Sequence, residues 1–234
     1  MVSSLLVLSK FLYLASATLT IGHLLLLLFF VRNKEGAIKE EFLYLRKRIS
    51  LFAWVWALST IIFILATLAS ILDLPFSSAF DLTMLRSFLT QISLGKSLAL
   101  QTIGALVVAL WSSGVNKVSY GALILALSIV SISIPIFQSH SASGGSHLIA
   151  IGTLLIHVIA ITLWIGGLSA IVINRWINLQ SVITRYSQLA LWAALSVVAS
   201  GAINAWIRLH LSDAWRSTYG LLVIEKVIRS EERR

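Results

Sequence analysis

Five histidines carry most of the chemistry available to this chain: His23, His140, His147, His157 and His210. There is no cysteine, and Met1 and Met84 are the only methionines, so a disulfide, a thiolate metal site and a thiol redox pair are excluded. Imidazole is left as the main ligand for a metal ion or a haem, and it suits a cupric ion well. His140 and His147 flank a Ser-Ala-Ser-Gly-Gly stretch, in which Gly144 and Gly145 would let His140 fold back toward His147. His157 follows ten residues after His147, about 15 Å along a helix. That is too far to share one ion, but it suits a second station. No nucleophile triad, phosphate-binding loop or pair of catalytic carboxylates is present, so ordinary enzyme chemistry is not expected.

The elements that must position these histidines are set by composition. Of 234 residues, 58% are hydrophobic and 12% charged, where soluble domains run about 25% charged. Too little polar surface remains to cover a globule, and a bilayer removes that requirement. Apolar runs of spanning length extend over about Leu5–Val31, Ile49–Leu72, Leu98–Trp111, Tyr120–Phe137, Leu148–Ile173 and Leu189–Leu209. The expectation is an all-α, polytopic transmembrane bundle of about six spanning helices forming a single domain over 1–234. Runs three and four are joined by Ser112-Ser113-Gly114-Val115-Asn116-Lys117 and form an antiparallel hairpin. Asp81 followed by apolar positions to Leu89 reads as a capped short helix on the outer interface.

Charge gives the orientation. The formal net charge is +9, and the basic residues sit in the gaps between runs rather than on a nucleic-acid face. Arg32, Lys34, Lys39, Arg46, Lys47 and Arg48 separate runs one and two, Lys117 lies between three and four, and Arg175 and Arg185 between five and six. These alternate gaps would be cytoplasmic, which puts the N-terminus outside. Beyond Tyr219-Gly220, Leu221-Leu222-Val223-Ile224 starts like a further helix, but Glu225, Lys226 and Arg229 to Arg234 stop it. A chain incomplete at its C-terminus is the expectation.

On this topology His140, His147 and His210 share the outer side, with Asp213 just beyond His210. They either hold a cupric ion or are interfacial loop histidines with no ligand. His157 falls at mid-bilayer, where an ionisable side chain is costly and usually faces the bundle interior. His23 paired with His157 offers a haem clamp as an alternative, although their depths differ. Trp164 and Gly166-Gly167 follow His157, and Gly201 and Ala205 make a small-residue face on run six. Asn204 beside them is expected to bond across helices. The eight tryptophans, Trp54, Trp56, Trp111 and Trp176 among them, read mostly as belt or lipid-facing residues.

Several segments together resemble the copper resistance protein D family. Ser139-His140-Ser141-Ala142, Leu155-Ile156-His157 and Leu163-Trp164-Ile165-Gly166-Gly167-Leu168 are similar to its histidine and Trp-x-Gly-Gly-Leu signatures. Arg185-Tyr186-Ser187, Ser200-Gly201-Ala202-Ile203-Asn204-Ala205 and Ser217-Thr218-Tyr219-Gly220 with Lys226 follow in the family's order. The likeness is strongest over 139–226. It implies a multi-pass protein of the bacterial inner membrane that handles copper, in uptake or tolerance. A periplasmic copper carrier or a cytochrome oxidase assembly protein is the implied partner, beside the lipid bilayer and with no nucleic acid. His140 and His157 match the family's histidines, and Trp164, Gly166, Gly167 and Asn204 its packing motif. His147 and His210 are added by topology alone. The expected path takes copper from His140, His147 and His210 on the outer face inward past His157. A haem-binding electron-transfer protein and a metal-free scaffold subunit are the alternatives.

Overall fold

The structure is a computed structural model that describes residues 2–30, 38, 44–138, 147–174 and 180–210. Among these lie seven α-helices: α1 (Val2–Phe30), α2 (Tyr44–Ile71), α3 (Leu82–Gln91), α4 (Ser93–Trp111), α5 (Val118–Ser133), α6 (His147–Ile173) and α7 (Gln180–His210). Short 3-10 segments at Phe76–Phe80, Ser112–Gly114 and Ile134–Gln138 mark helix ends. Six of the helices, all but α3, are long and apolar enough to cross a membrane. The chain is therefore a multi-pass, all-α membrane protein, as its composition requires.

Helical hydrogen bonding follows from the solvent. Lipid offers no partner for a backbone amide, so each spanning segment closes its own ladder. The interior hydroxyls obey the same demand: Ser16, Thr20, Thr60, Thr102, Ser128 and Thr162 each donate to a carbonyl four residues back, at 2.6–2.8 Å. A hydroxyl so engaged adds little cost to burial.

α1 is the central element, with 67% of its span buried, whereas α7 at the periphery has only 11% buried. One end of the bundle is filled by Leu24 and Leu27 of α1 against Leu45 and Ile49 of α2, Val108 of α4 and Ile124 of α5. The middle holds Tyr13, Ala17 and Ile21 with Trp56, Ala57, Ala105 and Ile132. The other end closes with Ile64, Leu68, Phe88 and Leu98. α6 packs on α1, and α7 is held chiefly by α6.

Three boundaries differ from the hydropathy reading. α2 begins at Tyr44 rather than Ile49, α4 at Ser93 rather than Leu98, and α7 at Gln180 rather than Leu189. Helix continues into polar and basic flanks, because long cationic side chains can stay in the interface while their stems lie on apolar surface. Trp56 departs from the belt reading. It is fully buried, while Trp54 and Trp111 are exposed as expected. The short helix is α3, whose cap Asp81 accepts from the amides of Thr83 and Met84 at 2.8 and 3.0 Å. It turns Phe88 inward and Leu82 outward. The hairpin turn is present between α4 and α5. Arg46 donates to the Val115 carbonyl at 3.2 Å, and the amide of Ile38 to that of Asn116 at 3.1 Å. Trp176, the segment 139–146 and the tail 211–234 lie outside the described residues.

The α1–α6 crossing is a backbone contact. A Cβ on Gly22 would stand 1.9 Å from the Gly166 carbonyl oxygen, and one on Gly166 would stand 2.4 Å from that of Thr18. Gly22→Ala is expected to lower stability by about 1–3 kcal/mol or more, since backbone must move to admit the methyl group. Gly152→Ala, which would meet no atom within 4 Å, should be neutral or stabilising by up to about 1 kcal/mol. Thermal unfolding in detergent compares the pair, and equal effects would refute a tight crossing.

Candidate metal site at the α6–α7 seam

His157 lies on α6, half-buried, and faces α7. Its Nδ1 is 3.2 Å from the carbonyl of Val197 and 3.1 Å from Ser200 Oγ. A carbonyl only accepts, and the Ser200 hydroxyl spends its own proton on the Ser196 carbonyl, so Nδ1 carries the hydrogen and donates to both. The tautomer assigned by this network leaves the lone pair on Nε2, which has no hydrogen-bond partner among the described residues. A hydrogen-bonded Nδ1–H with an open Nε2 is the arrangement in which imidazole binds a metal.

The ring packs against α7 at Gly201, where a Cβ would lie 3.5 Å from His157 Cε1, an ordinary van der Waals contact. Asn204 makes no hydrogen bond to His157. Its Oδ1 atom lies 2.9 Å from Thr153 Oγ1, one turn along the same seam, which is the cross-helix bond expected of it. Gly166 and Gly167 open two faces of α6, as neighbouring helical positions point about 100° apart. The first admits α1. The second lies under the Tyr186 ring, where a Cβ would stand 2.3 Å from Cε2, while the Tyr186 hydroxyl donates to the Trp164 carbonyl.

These contacts fix an antiparallel register in which residue numbers on α6 and α7 sum to 357 at both the His157–Ser200 and Thr153–Asn204 pairs. Continued along the two helices, the same sum brings backbone positions 147 and 210 level, about 15 Å from His157. The side chains of His147 and His210, and all of His140 and Asp213, lie outside the described residues. Among the described residues, no three His, Cys, Asp or Glu side chains gather as a metal cluster. His157 thus stands alone, an imidazole with one nitrogen unpartnered among the described residues.

His23 has the opposite environment. It is fully buried, and Nδ1 donates to the Leu19 carbonyl at 2.8 Å. Nε2 accepts from the Asn174 amide nitrogen at 3.3 Å. That amide also donates to Ala170 O at 2.7 Å, and its Oδ1 accepts from Arg48 at 2.6 Å. Arg48, Asn174, His23 and Leu19 form one donor chain linking α2, α6 and α1, in which every polar atom of the imidazole is used. Phe52 covers the ring at 4.9 Å between centroids. With Gly22 on Gly166, His157 lies nine residues, or roughly 13 Å, from the level of Gly22, the neighbour of His23. The two do not meet on one haem iron. Sequence reasoning passed over Asn174 and took Arg48 as loop charge. The signal for Asn174 was an amide closing the apolar run Ile171-Val172-Ile173.

The fold and the seam define a polytopic helical membrane protein with an imidazole held open between two of its helices. Residues 1–148 match the model of the Copper resistance protein D-like, N-terminal domain, and residues 180–229 match that of Copper resistance protein D. The first match alone takes in more than half of the chain, which therefore belongs to the copper resistance protein D family. Residues 149–179, with His157 and Gly166-Gly167, fall between the two matches. Comparison with curated proteins and with solved structures gives no match.

Asn174→Leu should strand Nε2 of His23 in the core and lower stability by about 1–3 kcal/mol. Adding His23→Leu to that variant should recover part of the loss, because both ends of the bond are then apolar. Equal stability of wild type and Asn174→Leu in detergent unfolding would remove the network from the account.

Proposed function

We propose that this protein binds copper as cargo and moves it across the bilayer, with His157 as the intramembrane station. The reading rests on the open Nε2 of His157 in a chain of the copper resistance family. No cysteine competes for the role, and the two methionines are Met1 and Met84, Met84 lying on α3 outside the spanning helices. His140, His147 and His210 receive the ion at the outer face, and His157 accepts it about 15 Å deeper. An imidazole set favours Cu(II), or an ion delivered with its own ligands, over bare Cu(I), for which soft sulfur is the preferred donor.

The direction is inward, in copper uptake or tolerance, and the membrane is the bacterial inner membrane. The basic residues Arg46, Lys47, Arg48 and Lys117 stand at the end of the bundle where α2 begins and the α4–α5 turn lies. Under the positive-inside rule this end is cytoplasmic, and the N-terminus and the start of α6 are outside. A periplasmic copper carrier meeting that outer end, or a cytochrome oxidase assembly protein receiving the metal, fits as partner. Nothing in the site calls for an enzyme activity.

Copper affinity of the detergent-purified protein tests the station. His157→Ala should weaken Cu(II) binding at the inner site to below detection. Ser200→Ala, which removes a partner of Nδ1, should weaken it by about 10–100-fold. His140→Ala should affect only the outer site. If copper binding is unchanged in both His157→Ala and Ser200→Ala, the station is not at this seam.

A further inference from the structure

The middle of the bundle contains two polar side chains that the copper path does not use. Trp56 on α2 and Gln101 on α4 are both fully buried. Trp56 Nε1, Gln101 Nε2 and Gln101 Oε1 have no hydrogen-bond partner among the described residues. In a spanning bundle no lipid group can supply one.

The two lie at one depth. Ser50 Oγ donates to the Ala109 carbonyl at 2.7 Å and fixes the antiparallel register of α2 on α4. Six residues further along α2, Trp56 comes level with position 103, within about 3 Å of the level of Gln101. Trp56 also shares a cluster with Ala105, which follows Gln101 by one turn on the same face of α4. The hydroxyls nearby are already committed: Thr60 donates to the Trp56 carbonyl and Thr102 to that of Leu98, both at 2.8 Å.

We propose that Trp56 and Gln101 form an internal water-binding site between α2 and α4. Trp56 offers one N–H, and Gln101 offers two N–H groups and one carbonyl oxygen. A guest must accept from the first set and donate to the last, which water does at the size of a single molecule. A copper ion does not fit, because an indole N–H has no lone pair to give and a carboxamide is a weak ligand. The site is therefore separate from the proposed copper path and stands or falls without it.

X-ray hydroxyl-radical footprinting in H2(18)O, on the full chain in nanodiscs, tests the site, since bound water generates radicals where it sits. Trp56 should take up (18)O, while Phe88, equally buried against apolar Leu68 and Leu98, stays at background. Gln101→Leu should reduce labelling of Trp56 to the Phe88 level and leave exposed Trp54 unchanged. Background labelling of Trp56 in the wild type would overturn the proposal. So would undiminished labelling of Trp56 in a folded Gln101→Leu variant. If that variant fails to fold, the wild-type comparison of Trp56 with Phe88 decides alone.

Discussion

The contact between Gly22 and Gly166 is the constraint on which the remainder of the arrangement depends. Helices α1, α2, α4 and α5 share continuous apolar clusters and hold one another along most of their length. α6 joins this block chiefly through α1, and α7 is carried chiefly by α6. Apolar side chains gain nothing from leaving lipid for a protein surface equally apolar, so close packing and hydrogen bonds must bind the outer pair. Bare backbone at the crossing lets dispersion contacts accumulate at a distance that any Cβ would forbid. The depth and rotation of α6, and so the facing of His157, follow from where that crossing sits.

Hydrogen bonds divide into two kinds here. Most hydroxyls donate within their own helix and leave helix–helix association unchanged. Bonds that cross between helices fix rotation, among them Ser50 to Ala109, Tyr186 to Trp164, Thr153 with Asn204, His157 to Val197, and Asn174 with His23 and Arg48. The histidines follow the same division. His23 is saturated on both nitrogens and acts as a structural link of three helices. His157 has one nitrogen committed and one without a partner among the described residues. Identical side chains at intramembrane positions thus take different roles according to how many partners the neighbouring helices supply.

This also explains what the sequence could reveal. The six spans were legible because about 20 apolar residues are needed to cross a bilayer, whatever the packing. Their ends were less so, since Tyr44 and Gln180 begin helices inside polar flanks. The facing of Trp56 could not be read, because α2 is apolar on all sides and periodicity marks no interior face. Polar residues within the spans were better guides: His23 and His157 both lie against neighbouring helices. For His157 the place within its helix was apparent from sequence, but its anchors were not. The Val197 carbonyl and the Ser200 hydroxyl become partners only through the α6–α7 register, which is a property of two segments about forty residues apart.

An isolated open imidazole has a kinetic meaning on the copper reading. A closed set of three or four ligands would hold the ion firmly and release it slowly, as structural metal sites do. Conduction requires the reverse, with binding favourable enough to enter and weak enough to leave. His157 meets that condition with one nitrogen, provided that water or a ligand travelling with the ion completes the coordination. His157 is half-buried beside a sparsely covered α7, whereas His23 is enclosed by Leu19, Phe52 and Asn174. On the copper reading the seam is where an ion would be bound without being trapped, and the packed core beside it keeps the seam in register.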